Sequence, residues 1–371
     1  MRVLICGEVL HLGGAETVSI DLANALAARG VETAYSAAPG PLDARLAPGV
    51  RLEETPRLTR PAAFAWARRM AAILRGYRPD VLHAQGATLA LCTRAVAALP
   101  GVPRPAIVLT HHSTSYRRAS AEASRLLLRA GCDQMIAISS TKQRQFRAMG
   151  FPAERIAFIP NFVDCAAIRA AASGADRERL GRELGIAPAD VVVAMVGRMI
   201  PGKGFDVFLR AAGLASAALS RPLVALAVGD GPERAPLERQ AASLAGPARA
   251  VFAGYRRDAT ALLGLASAVL FPSQLTEVLP MALIEASAAG VPVVCSDIPG
   301  NREVVQGGVN GELAGPSEQS YADALARVLR DPDAARRMGE AGQRIAQERF
   351  DESVVVPRVI ALYGEVVARR G

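Results

Sequence analysis

Short, unbroken apolar runs alternate along the chain with stretches of helical spacing. The first run, RVLICG, opens onto the loop EVLHLGG and then onto AETVSIDLANALAARG. In that segment Val18, Leu22, Ala25 and Leu26 recur on one helical face, and Gly30 supplies a stop. The same order of strand, glycine loop and helix restarts at DVVVAMVG, RMIPGKG and FDVFLRAAGLAS. Each is the opening of a parallel α/β domain, so two doubly wound domains in tandem are predicted. PDVLHAQG, PAIVLTHH, CDQMIAISS and RIAFIPNFVD add strands to the first domain; RPLVALAVGDG, RAVFAGY, SAVLFPS and GVPVVCSD add strands to the second. Their continuous apolar character suits strands covered on both faces. The change-over falls in the polar helical stretch NFVDCAAIRAAASGADRERLGRELG, giving domains over 1–165 and 166–352. A last helix, about 353–371, is expected to be interrupted near Pro357.

With 371 residues the chain exceeds the size at which single cores stop growing, which agrees with two domains. No run of 18 apolar residues predicts a membrane span, and MRVLICGEVLHLGGAE lacks the form of a signal peptide. Five scattered cysteines, never in a C-x-x-C pair, read as small core residues of a reduced, cytoplasmic protein. Four histidines, two of them the pair His111–His112, give a zinc site no support. In the acidic triplet DPD, Asp331 reads as the N-cap of a helix with Pro332 at its first position.

Charge is unevenly spread. The net +8 lies wholly in residues 1–165, with 20 Arg and Lys against 12 Asp and Glu; the remainder carries 23 of each. The first half therefore either meets something anionic or is solvated by an arginine-rich composition. Aromatic residues are too few, at 5%, to interleave with the basic ones as in nucleic-acid binding. Segment 60–80 sets Phe64, Trp66, Met70, Ile73 and Leu74 beside Arg68, Arg69 and Arg75. It reads as a helix packed on its sheet, with a peripheral anionic membrane contact as the alternative, and segment 115–129 has the same character.

Three stretches carry candidate chemistry. HLGGAE sets Gly13 and Gly14 at a helix start, where backbone amides attract an anion, although it is not a dinucleotide fingerprint. GRMIPGKGFD holds Gly197, Arg198 and Lys203 at the carboxyl end of a strand, where open α/β sheets bind ligands. Only two of the 43 basic residues are lysines, Lys142 and Lys203, so an ammonium flanked by two glycines points to a crowded anion site. GDGP, with Gly229, ends another strand. Finally LTEVLPMALIEASAAG sets Glu277 before a helix expected to start at Pro280 and end at Gly290, with Glu285 inside it. A separation of ~12 Å along a helix axis exceeds the roughly 5–10 Å between two hydrolytic carboxylates. The pair therefore reads as two contacts to one elongated ligand, or as Glu285 satisfied by a neighbouring arginine.

E-x7-E before A-x-G-x-P-V-V, G-R-x-x-P-x-K-G upstream, and the G-G-A-E loop together resemble the retaining glycosyltransferases of family GT4. The resemblance continues through PNFVD, GDGP, FAGY, FPS and PGNREVV, nearly the whole chain. It implies the GT-B fold: two Rossmann-like domains facing a central cleft, with a C-terminal helix crossing back to the first. It implies further that Arg198 and Lys203 neutralise the diphosphate of a UDP- or GDP-sugar, aided by Gly13, Gly14, Gly197, Gly229 and the helix beginning at Pro280. Glu285 would take the ribose, and Glu277 with the backbone at Val278 and Leu279 the transferred sugar. Tyr255 or Arg256 would lie near the base, and His112 would face the sugar, with Glu16 and His111 on the acceptor side. No metal or other cofactor is implied beyond the nucleoside diphosphate sugar as co-substrate. The expected reaction is hexose transfer with retention to a glycan or lipid-linked acceptor, in cell-surface polysaccharide or lipopolysaccharide synthesis. A sugar-nucleotide epimerase or hydrolase and a non-catalytic sugar-nucleotide-binding protein are the competing readings. Two departures stand out: Val278 where many relatives have glycine or serine, and Phe162 in NFVD where many have NGVD.

Overall fold

The computed structural model describes residues 1–10, 13–112, 129–174 and 176–370. They form two units, Met1–Asn161 with Glu352–Gly371, and Phe162–Asp351. The changeover sits a few residues before that expected from the sequence. Phe162 and Val163 are buried, the Val163 N–H donates to the Phe350 carbonyl at 2.9 Å, and the Cys165 N–H donates to the Asp351 carboxylate at 3.2 Å.

The first unit carries a seven-stranded sheet: β1 (Arg2–Val9), β2 (Glu32–Ala38), β3 (Val50–Glu54), β4 (Val81–Ala84), β5 (Ala106–Thr110), β6 (Gln134–Ala137) and β7 (Ile156–Phe158). Their order is β3-β2-β1-β4-β5-β6-β7, with parallel pairing throughout. The second carries six: β8 (Val191–Val196), β9 (Leu223–Val228), β10 (Arg249–Gly254), β11 (Ala268–Phe271), β12 (Val293–Ser296) and β13 (Gly311–Ala314). They run β10-β9-β8-β11-β12-β13, again parallel. In each sheet the chain winds outward in both directions from the first strand, which makes both units Rossmann-like. The point where the direction reverses opens a crevice at the strands' carboxyl ends. Strands β2, β3 and β13 lack the strong apolar runs of the others; ETAYSAA is buried through small residues.

Each sheet has its own core. Leu4, Trp66, Met70, Leu74, Leu82 and Phe146 pack in the first, and Met195, Phe205, Phe208, Leu270 and Leu325 in the second. The apolar stripe of segment 60–80 therefore belongs to the core: in the helix Ala63–Tyr77, Trp66, Met70, Ile73 and Leu74 are buried, while Phe64 alone of those five is 84% exposed. Residues 115–128 of the second basic segment lie outside the described residues. Among the described residues no helix is long and apolar enough to cross a membrane.

The helix Glu352–Ala368 is continuous through Pro357, contrary to the interruption expected. One interior proline costs roughly 3 kcal/mol. Six buried side chains, Val355, Val356, Val359, Leu362, Tyr363 and Val366, outweigh that at ~1.5–3 kcal/mol for each large apolar group. Arg29 pairs with Glu352 at 2.7 Å, and Arg358 donates to the Phe158 carbonyl at 2.6 Å, fastening this helix to the first unit. Asp331 caps the helix Pro332–Arg349, accepting the Ala334 N–H at 2.9 Å as its sequence predicts.

Truncating Trp66 to alanine is expected to destabilise the protein by ~3–5 kcal/mol, because it empties a closed core position. Phe64→Ala should stay within about 0.5 kcal/mol. Urea denaturation of the two variants measures the difference.

Candidate active site

The loop after β8 is built around a lysine between two glycines. Gly202 (φ 78°) and Gly204 (φ 94°) both lie in the left-handed region. At Gly204 an added Cβ would stand 2.2 Å from the Pro272 carbonyl oxygen, so only glycine lets this loop close against the end of β11. The adjoining GDGP turn fits as tightly: a Cβ on Gly229 would sit 1.8 Å from the Gly197 carbonyl oxygen. The stem of Lys203 runs over Gly197 and directs its ammonium to Glu277, where Nζ meets Oε1 at 2.8 Å. Both side chains are largely withdrawn from water, 17% and 15% exposed. The same oxygen accepts the Ser273 hydroxyl at 2.7 Å, and the ammonium stands 4.5 Å from the centre of the Phe271 ring. A carboxylate and an ammonium are thus held by the carboxyl ends of β8 and β11, on either side of the sheet's reversal point.

After Glu277 the chain passes half-buried Val278 and buried Leu279 to Pro280, which serves as the N-cap rather than the first helical residue. Its carbonyl accepts the Leu283 N–H at 3.2 Å, so the helix Met281–Ala289 begins one position later than expected. Gly290, at φ 78°, ends that helix as its sequence predicts. Glu285 is half-buried inside the helix, so the two glutamates occupy different elements.

Other candidates have different surroundings. Arg198 is exposed and forms no ion pair with a described residue. Tyr255 is 49% exposed. Arg256 is engaged elsewhere: its Nε and Nη2 each reach Asp258 at 2.8 Å, and Nη1 reaches Glu183. These bonds push the guanidinium's pKa up and hold it as a structural pair, leaving Tyr255 as the accessible group of the two. In the first unit Gly13 caps the helix Gly14–Ala28. The Glu16 carboxylate folds over it, 2.2 Å from where a Cβ would stand, so this helix start already has an anion of its own.

The carboxyl end of the first sheet holds a polar cluster that sequence reasoning passed over except at His111 and His112. His83, fully buried on β4, bonds through Nδ1 to the Tyr363 hydroxyl and through Nε2 to the Thr110 hydroxyl, each at 2.7 Å. Two residues on, Gln85 Oε1 lies 3.0 Å from His112 Nε2. Burial pushes His83 down to about 3, with His112 adding to the shift. Burial, then His111 and Lys142, push His112 down to about 4. The missed signal was in the strand PDVLHAQG, whose His83 and Gln85 alternate with apolar residues and so share one face. Ser273, overlooked in SAVLFPS, is likewise the group that orients Glu277.

The Rossmann-like fold of the two units is that of the GT-B architecture. Residues 12–167 match the family model described as Glycosyltransferase Family 4, and residues 176–345 that of Glycosyl transferases group 1. The chain belongs to this glycosyltransferase family, GT4. It is 34% identical to the D-inositol 3-phosphate glycosyltransferase of Nocardia farcinica over 57% of this chain and 48% of that one, spanning about half that relative's length. It is 32% identical to the phosphatidyl-myo-inositol mannosyltransferase of Mycobacterium leprae over 71% and 68%. The crystal structure of Anabaena Alr3699/HepE in complex with UDP and glucose shares the fold, with a TM-score of 0.82 and 23% identity over 98% of this chain and 99% of that one.

Both histidines bind a proton more weakly folded than unfolded, where imidazole titrates near ~6.5. Their contribution is therefore complete above about pH 7 and is lost as pH falls through ~6.5 toward about 4, at up to ~1.4 kcal/mol per pH unit for each. Thermal melts from pH 7.5 to 5 should decline with a shallower slope in His83→Gln than in the native protein.

Proposed function

We propose that the chain transfers a hexose, with retention, from a UDP- or GDP-sugar to a glycan or lipid-linked acceptor. The Lys203–Glu277 pair at the ends of β8 and β11 carries this reading. An arriving diphosphate competes with Glu277 for the ammonium, and exposed Arg198 supplies a second positive charge. Their combined field replaces the divalent cation that a diphosphate leaving group otherwise needs. Released from Lys203, Glu277 stays anchored by Ser273 and turns its other oxygen to a sugar hydroxyl. Glu285 takes the ribose hydroxyls and Tyr255 the region of the base. UDP in the Anabaena neighbour supports a uridine donor, and the inositol-lipid acceptor named for the Mycobacterium leprae relative supports a lipid-linked one.

The bond from the anomeric carbon to the leaving phosphate oxygen breaks while a bond to the acceptor oxygen forms on the same face. The acceptor's proton passes to that phosphate oxygen, leaving a glycoside and a nucleoside diphosphate. The protein contributes placement and charge stabilisation. The excess positive charge of residues 1–165 favours work at the inner, anionic face of a membrane without insertion, in polysaccharide or lipopolysaccharide assembly.

Lys203→Ala should abolish transfer and weaken nucleoside diphosphate binding by more than about tenfold, or ~1.4 kcal/mol, by calorimetry. EDTA should leave native activity unchanged, and NMR of the product should show the donor's anomeric configuration. Normal turnover by Lys203→Ala would sink the assignment; complete donor consumption without acceptor would instead mark a hydrolase or epimerase.

A further inference from the structure

His83 on β4 and Gln85 just after it meet Thr110, the last residue of β5, and His112 two residues beyond it. His83 and Val108 are cross-strand partners, so the pairing is in register here. The Gln85 N–H donates to the Cys6 carbonyl at 2.9 Å, which fixes that residue's backbone against β1 as well. His83 is closed at both ring nitrogens and holds Thr110, the residue before His111–His112. Gln85 then reaches His112.

The chemistry of that second contact is directional. An amide oxygen only accepts, so the ring nitrogen facing it must carry the proton. This contact favours the Nε2–H imidazole of His112, and no described residue bonds to its Nδ1. The titratable groups facing it are all basic: His83 on β4, His111 beside it, and Lys142 on the helix Ser140–Ala148. No described carboxylate draws a second proton onto the ring.

We propose that Gln85 is a positioning residue that locks His112 in the Nε2–H tautomer, leaving Nδ1 as a lone-pair acceptor for a hydroxyl of a ligand bound at the first unit's strand ends. The choice of glutamine is essential to this role. A carboxylate at position 85 would charge the imidazole and cap both nitrogens with protons, turning an acceptor into a donor. The lock itself is independent of the reaction; only the hydroxyl that Nδ1 meets rests on the function proposed above.

Two measurements test it. In protein labelled with 15N-histidine, long-range proton–nitrogen spectra, with His112 assigned from His112→Asn, should show the neutral Nε2–H form between pH 6 and 8. Gln85→Met, similar in size but lacking the acceptor, should give a mixture of tautomers. Kinetically, that variant should lose about tenfold in kcat with donor KM within about twofold, the pattern of an interaction tightened in the transition state. Gln85→Glu should add an acid limb, its rate falling as pH drops from 8 to 6 where the native rate is flat. A merely structural glutamine would not create that limb. An Nδ1–H tautomer in the native protein, or one unchanged in Gln85→Met, overturns the proposal. A flat profile for Gln85→Glu does so as well. Absence of transfer by the native protein would strike the proposed function alone, since the spectra read the lock without turnover.

Discussion

The geometry of the second unit hangs on the close approach of two backbone segments, the Gly-Lys-Gly loop after β8 and the Pro272 carbonyl beyond β11. Only a residue without a side chain fits at Gly204, and that fit carries Lys203 across the sheet's reversal point to Glu277. Placing opposite charges in a half-buried position removes hydration from both, which is tolerable because each compensates the other and Ser273 completes the carboxylate's bonding. The pair is therefore stable without ligand yet suited to exchange partners when a stronger anion arrives. A bare ammonium there would resist burial, and a bare glutamate would repel a phosphate.

The first unit treats its strand ends differently. At the ends of β4 and β5 the hydrogen-bonding pairs are neutral: an imidazole between two hydroxyls and an amide against a second imidazole. Low dielectric surroundings strengthen these bonds and penalise any proton added to them. One Rossmann-like frame thus presents charge, and the other presents hydrogen-bonding direction.

The parallel fold was legible because buried strands write continuous apolar runs, as in DVVVAMVG and PAIVLTHH. It was illegible where small residues do the burying, as in ETAYSAA, or where tertiary packing overrides a local rule, as at Pro357. Lys203 was marked by its rarity among arginines, and the loop holding Glu277 by the helix-starting Pro280 that follows it. What sequence could not reveal was the partner of each group. Nothing in the order of residues says that Arg256 is spent on Asp258 and Glu183, or that Glu16 folds onto Gly13. The first and last are local choices of side-chain rotamer, and the Glu183 contact joins positions 73 residues apart; the order of residues writes neither.

The helix Glu352–Ala368 gives the first unit a particular history in the cell. Tyr363 lies 280 positions beyond its partner His83, with the whole of the second unit between them. During synthesis, strand β4 leaves the ribosome long before the hydroxyl that saturates its buried imidazole has been made. The second unit, contiguous in sequence, has every residue it needs first. The cover of the first sheet is therefore complete only after the last helix has been made, later in synthesis than the whole of the second unit.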